Sequence, residues 1–178
     1  MIFRGDQDSK TSTVAPHVDL FITVMAGWAV STDPQAPQRV EALLRLMEDL
    51  HDKEGLETKP NQIAYNAFLN CLSRSSDPNA AKRAETVLRR MQEQWRAGFE
   101  GIKPNIISFT SVIAAWSRSN DAVAPERAAA LFREMQESGD GNLQPNPLTY
   151  NALMSTFSRH NRPFKVQTVF DAMEVRYK

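Results

Sequence analysis

Pro60-Asn61-Gln62-Ile63-Ala64-Tyr65-Asn66 is answered by Pro104-Asn105-Ile106-Ile107-Ser108-Phe109-Thr110, and again by Pro145-Asn146-Pro147-Leu148-Thr149-Tyr150-Asn151. Each phrase runs from proline and asparagine to an aromatic residue followed by a small polar one. Asn66 and Thr110 lie 44 residues apart and Thr110 and Asn151 lie 41 apart, intervals at which self-similarity signals stacked supersecondary units. A degenerate copy, Pro16-His17-Val18-Asp19-Leu20-Phe21-Ile22, stands 44 residues before the first phrase. The chain is a repeat protein, and the content of one repeat sets the fold.

After the extended Lys59-Pro60-Asn61 entry, Ile63, Phe68, Leu69 and Leu72 follow at near-helical spacing and give way to the polar stretch Ser73 to Asp77, predicting a first helix of about three turns. Asp77-Pro78 then reads as an N-cap with proline at the first helical position. Ala84, Val87, Leu88 and Met91 share one face of a second helix. The same stripe recurs as Val40, Leu43, Leu44, Met47, as Ala128, Leu131, Phe132, Met135, and as Val166, Val169, Phe170, Met173. Six positions beyond the small polar residue stands Trp28, Leu72, Trp116 or Phe157, which reads as core.

A single helix pair cannot bury both of its faces, so neighbours must stack along a shared core. The expected fold is all-α: a right-handed α-solenoid of tandem antiparallel helix pairs, about four repeats of 41–44 residues with the last incomplete. A polar segment, 1–15, precedes repeats at 16–60, 61–104, 105–145 and 146–178. Linkers at Glu54 to Thr58, Ala97 to Gly101 and Gly139 to Asn142 read as exposed turns. The chain ends after the second helix of the fourth copy, so further repeats or another protein are the expected partners at that open end.

Lysine plus arginine and aspartate plus glutamate number 21 each in 178 residues, so there is no global basic field, and a polyanion would have to be met by a local stripe. Cys71 is the one cysteine, which excludes an intrachain disulfide, and it sits in an apolar helical run as a buried thiol would. No apolar run approaches the roughly 20 residues that span a bilayer, and no membrane partner is expected. Residues 1–8 carry Asp6 and Asp8, whereas transit peptides are acid-poor, and no targeting signal is visible. His17, His51 and His160 stand apart without paired zinc-ligand spacing. There is no glycine-rich phosphate loop and no Gly-x-Ser-x-Gly elbow. The expectation is a protein without enzyme activity, cofactor or metal. The acidic runs Glu48-Asp49 and Glu134 to Glu137 read as solvated outer faces.

The Pro-Asn entry, the Tyr-Asn start and the Ala-x-x-Leu-Phe-x-x-Met second helix, clearest in Tyr150-Asn151-Ala152-Leu153-Met154 and Ala128 to Met135, resemble the pentatricopeptide repeat family. The resemblance covers about Pro16 to Met173. The usual repeat of that kind is shorter. The excess here falls as three residues between the helices and the rest between Met91 and Pro104, both of which read as loop insertions of small entropic cost. The resemblance implies single-stranded RNA as partner, one base per repeat, and action on organellar transcripts in mitochondrion or plastid.

In that family a base is selected by the residue after the first-helix aromatic together with the last residue of the repeat. The matching pairs here are Ile22 with Asn61, Asn66 with Asn105, and Thr110 with Asn146, while Asn151 has its partner beyond the chain end. The family's code then implies a pyrimidine, cytosine over uracil, followed by adenine, with no discrimination at Ile22. Ile63, Ile107 and Leu148 match the positions that sandwich bases, and Asp19 departs from them. Read without the family, Asn66, Thr110 and Asn151 equally suit helix starts and the three aliphatics suit core. Arg74, Arg118 and Arg159 each fall eight residues after Asn66, Thr110 and Asn151 and each follows a serine. They form a ladder suited to successive phosphates, or else complement the helix dipole. The alternative function is a protein-binding helical-repeat scaffold.

Overall fold

A computed structural model describes residues 17–177, and over that span the chain forms four helix pairs: α1 (Val18–Val30) with α2 (Ala36–Glu54), α3 (Gln62–Arg74) with α4 (Ala80–Arg96), α5 (Ile106–Arg118) with α6 (Ala124–Glu137), and α7 (Pro147–Arg159) with α8 (Pro163–Tyr177). The proposed polar segment 1–15, the Pro16 entry and Lys178 lie outside the described residues. No strand occurs among the described residues. The fold is the expected all-α stack of helix pairs.

The Pro-Asn phrase makes a helix start for a local reason. Asn61, Asn105 and Asn146 are extended N-caps whose side-chain oxygens accept backbone N–H groups of the first turn, satisfying donors that have no partner inside the helix. In α5 and α7 the cap is reciprocal, because Ser108 and Thr149 hydroxyls accept from the backbone N–H of Asn105 and Asn146.

The start of the second helix differs from the sequence reading. Asp77 does not cap it: its carboxylate accepts from Asn79 N at 2.9 Å, and α4 begins only at Ala80. Ser75 Oγ accepts from Asp77 N at 3.1 Å, so the hydroxyl and carboxylate fold the backbone into a tight turn before the helix can begin. Ser31 with Asp33 and Ser119 with Asp121 build the same turn 44 residues to either side. The turn occupies 75–79 and 119–123 but shrinks to 160–162 before α8, so two of the extra three residues lie there and the third lies at the start of the second helix, where Ala84 is the fifth residue of α4 and Val166 the fourth of α8.

The second excess is largely helix and not loop. α4 continues past Met91 to Arg96 and α2 past Met47 to Glu54, since Gln, Glu, Arg and Lys sustain a helix until glycine intervenes. Gly55 and Gly98 then adopt positive φ of 65° and 91°, as a helix-terminating left-handed residue does. The linker at Glu54 to Thr58 is not exposed throughout, because Thr58 is buried with its hydroxyl on Met47 O.

Packing sets the curvature. The first helices touch in a row, α1 on α3, α3 on α5 and α5 on α7, while each second helix packs on its own first helix and on the next one. Among the described residues no comparable contact joins α2 to α4 or α4 to α6. The first helices therefore lie on the tighter, inner side. Met25, Leu69, Leu72, Val112, Ile113, Trp116 and Leu153 fill the space between them, and the Val40, Leu44, Met47 stripe and its copies in α4 and α6 close it from outside. The ends are less covered: Trp28 is only half-buried, with the Arg39 guanidinium over its ring at 4.9 Å, and none of α8 is buried. There the fourth apolar stripe has no following repeat packed on it.

Candidate nucleic-acid interface

The second turn of each first helix faces the inner side at the junction with the next repeat. Asn66, in α3, meets Asn105, the N-cap of α5: Asn66 Nδ2 donates to Asn105 Oδ1 at 3.3 Å. Ser108 Oγ donates to Asn66 Oδ1 at 2.6 Å, and Asn105 Nδ2 donates to Gln62 Oε1 at 3.1 Å. One junction later Thr110 Oγ1 meets Thr149 Oγ1 at 2.8 Å, and Thr149 Oγ1 donates to Asn146 Oδ1 at 2.9 Å. The structure thus brings together Asn66 with Asn105, and Thr110 with Asn146, although 39 and 36 positions separate the members of each pair.

Ser108 and Thr149 are the couplers, buried at 0 % exposure, and sequence reasoning passed over them. Their signal was present. In register the position reads Ala64, Ser108, Thr149, hydroxyl-bearing only where the preceding repeat offers a polar partner. Ile22 offers none, and Asn61 accordingly spends its oxygen on Ile63 N and Ala64 N alone. Asn151 is exposed on the last first helix.

Proton accounting fixes what each pair presents. The single proton of Thr149 goes to Asn146 Oδ1, so Thr110 must be the donor in the hydroxyl pair, and its own lone pairs are left outward. Asn146 Nδ2 makes no hydrogen bond among the described residues. The Thr110–Asn146 pair therefore offers an acceptor beside a donor. Asn66 uses one amide proton and one lone pair and keeps one of each.

Ile63, Ile107 and Leu148 stand one turn away at 57 %, 55 % and 68 % exposure. These values exclude core roles for them. Three branched apolar side chains left in solvent at one register position, beside the polar pairs, make a series of apolar ledges separated by hydrogen-bonding notches.

Arg74, Arg118 and Arg159 are exposed in the last turns of α3, α5 and α7, about 12 Å along the helix axis from the polar pairs at 1.5 Å per residue. Among the described residues none of the three pairs with a carboxylate. Four second-helix arginines behave otherwise. Arg83 binds Glu41 and Asp77, Arg90 binds Glu48, Arg89 binds Glu134, and Arg127 binds Glu85.

The acidic runs expected in solvent are thus partly structural, since Glu48 also accepts from Tyr65 Oη at 3.2 Å and Glu134 from Gln92. Burial, with Glu48 beside the phenol, pushes Tyr65 up to about 12 despite the opposing Arg90. Burial likewise pushes the Cys71 thiol up to about 11, Arg74 opposing. Glu85 is the deepest of the acids, 5 % exposed, and accepts from Trp116 Nε1 at 3.0 Å, from Arg127 Nε at 3.0 Å and from Arg127 Nη2. Carboxylates and guanidiniums on the outer helices tie repeats together, whereas Arg74, Arg118 and Arg159 on the first helices are not spent in this way.

A family model described as the pentacotripeptide-repeat region of PRORP matches residues 37–177. A comparison with the curated proteins returns no match.

Proposed function

The chain belongs to the pentatricopeptide-repeat family, and on that premise we propose that it binds single-stranded RNA along its inner face, reading one base per repeat. The observation that carries the proposal is the junction geometry: Asn66 bonded to Asn105, and Thr110 linked through Thr149 to Asn146, each beside an exposed aliphatic. Unstacked bases need both elements, an apolar surface for the ring and polar atoms for the Watson–Crick edge.

The polarity of the second notch supports the expected base. An acceptor on Thr110 beside a donor on Asn146 complements an exocyclic amine next to a ring-nitrogen acceptor, as in adenine and cytosine. Guanine and uracil present the reverse order. The Asn66 amide, with a donor and an acceptor both spare, suits either pyrimidine. Repeat one has Ile22 and contributes no edge recognition.

We place Arg74, Arg118 and Arg159 on the phosphates, as unpaired guanidiniums parallel to the row of notches. The action proposed is occupancy or remodelling of an organellar transcript in mitochondrion or plastid, without cleavage, cofactor or metal. Among the described residues no three of His, Cys, Asp and Glu converge as ion ligands, and no helix is long and apolar enough to cross a membrane. The protein-scaffold reading lacks a comparable support, since a peptide groove does not require polar notches in strict register.

Selection from a randomised RNA pool tests the reading. Thr110→Asn replaces a lone acceptor by an amide and is expected to move preference at one nucleotide from adenine toward pyrimidine. An unchanged profile would refute recognition at that junction.

A further inference from the structure

Arg74 and Arg118 come from successive repeats, yet both line a single cavity of about 390 Å³ between the first inter-helix turn, Ser31 to Pro37, and the second, at Ser75 and Ser76. We propose that this cavity seats one phosphate group held by both guanidiniums together, so that these two arginines are a clamp on one anion and not two rungs of a ladder. The proposal deepens the RNA-binding reading and rests on it for the physiological ligand.

The lining fits an oxyanion. Ser31 Oγ and Ser75 Oγ accept from Asp33 N and Asp77 N at 3.0 and 3.1 Å, which leaves the proton of each hydroxyl available to an anion. Thr32 and Ser76 are exposed beside them and add two more hydroxyls. One carboxylate, Asp33, also lines the space, and its Oδ1 is turned to the backbone N–H of Gln35 at 2.8 Å. Cys71, on the wall, stays a neutral thiol and adds no charge. Two guanidiniums against one carboxylate leave net positive charge. Planar guanidinium forks also match a tetrahedral oxyanion in geometry as well as sign.

The next junction is built differently. Its cavity of about 380 Å³ is lined by Arg118 and by Lys82, whose ammonium is already tied to Asp121 at 2.8 Å, while Asp77 is held by Arg83. At the last junction Arg162 replaces the turn aspartate and lies 3.9 Å from Glu126. The first junction is where two unpaired arginines converge.

The test begins without RNA. Inorganic phosphate titrated into the whole chain is followed by amide NMR shifts at Ser31, Thr32, Ser75 and Ser76. Saturable shifts are expected, with about tenfold weakening by Arg74→Gln or Arg118→Gln and no rescue by Arg74→Lys, which keeps the charge and loses the fork. No shift at tens of millimolar phosphate overturns the site, and so does loss of binding through only one of the two arginines.

With RNA, the two single variants and the double variant form a cycle. A shared phosphate makes the double little worse than either single, whereas full additivity overturns the clamp. RNAs carrying a 5′-phosphate or a 5′-hydroxyl separate the sources. Tighter binding of the former assigns the clamp to a terminal phosphate, and equal binding competed by inorganic phosphate assigns it to an internal one. Phosphate binding with no RNA binding would uphold the site and refute the RNA reading.

Discussion

Replacing Glu85 by alanine should uncouple the second and third repeats, and the cost can be worked from the groups it serves. Trp116 Nε1 is buried and has Glu85 as its acceptor at 3.0 Å, so truncation leaves an unsatisfied indole N–H, worth about 1–3 kcal/mol. Arg127 and Arg89 are 49 % and 39 % exposed at the side chain and rehydrate, so each loses only about 0–1 kcal/mol. The sum is about 3 kcal/mol. In a chain of this size that corresponds to a fall of about 6–12 °C in Tm if unfolding is cooperative, read by calorimetry and by urea denaturation. The chain contains its own control. In register with Glu85 and Trp116, the last junction has Ala129 and Phe157, which need no carboxylate, while Lys165, in register with Arg127, sets its ammonium over the Phe157 ring at 5.3 Å. The triple variant Glu85→Ala, Trp116→Phe, Arg127→Lys, which copies the last junction, should therefore recover more than half of the loss. A cost for Glu85→Ala below about 1 kcal/mol, or no recovery in the triple variant, would refute the claim that this carboxylate exists to satisfy the indole and the guanidinium of the next repeat.

Asn105→Ala should cost about 1 kcal/mol through the lost cap and also blur base preference at that junction, since Asn66 loses its partner. Asn61→Ala should show the stability loss alone, because Ile22 makes no such pair; equal effects of both on a pooled RNA selection would contradict this. Cys71, with its thiol near 11, should react with iodoacetamide at pH 8 at least about a hundredfold more slowly in the native protein than in the unfolded chain, and matching rates would show that the thiol is accessible. Stability should also fall in acid. The Asn79 N–H, then Arg83, hold Asp77 below its usual range; Lys82, then the Val123 N–H, hold Asp121; and Lys103, then the Asn142 N–H, hold Asp140. A native value below the unfolded one stabilises the fold above about pH 4 and is lost as pH falls through the native values. Asp121→Asn should flatten that part of a Tm-against-pH profile, and an unaltered profile would remove Asp121 from the account.

The repeat period and the eight α-helices of the described residues were legible in the chain because they depend on local rules. Asn at the cap, apolar residues at 0, 3, 4 and 7, and a constant interval carry that information in one dimension. The sequence also pointed to Asn66 with Asn105 and to Thr110 with Asn146, through a family resemblance and not through any visible contact. The register Ala64, Ser108, Thr149 carried a signal for the couplers, but a hydroxyl at the third helical position looks like half of a capping box until the preceding repeat is placed against it. Nor could the sequence show which arginines are spent on carboxylates of other repeats. Arg83, Arg89, Arg90 and Arg127 meet carboxylates some 40 residues away, whereas Arg74 and Arg118 converge unpaired on one cavity. Local propensity and spacing determine which helices form; the distances between side chains of different repeats depend on how tightly those helices stack, and only the tertiary structure decides which charges are spent inside the protein and which remain for a ligand.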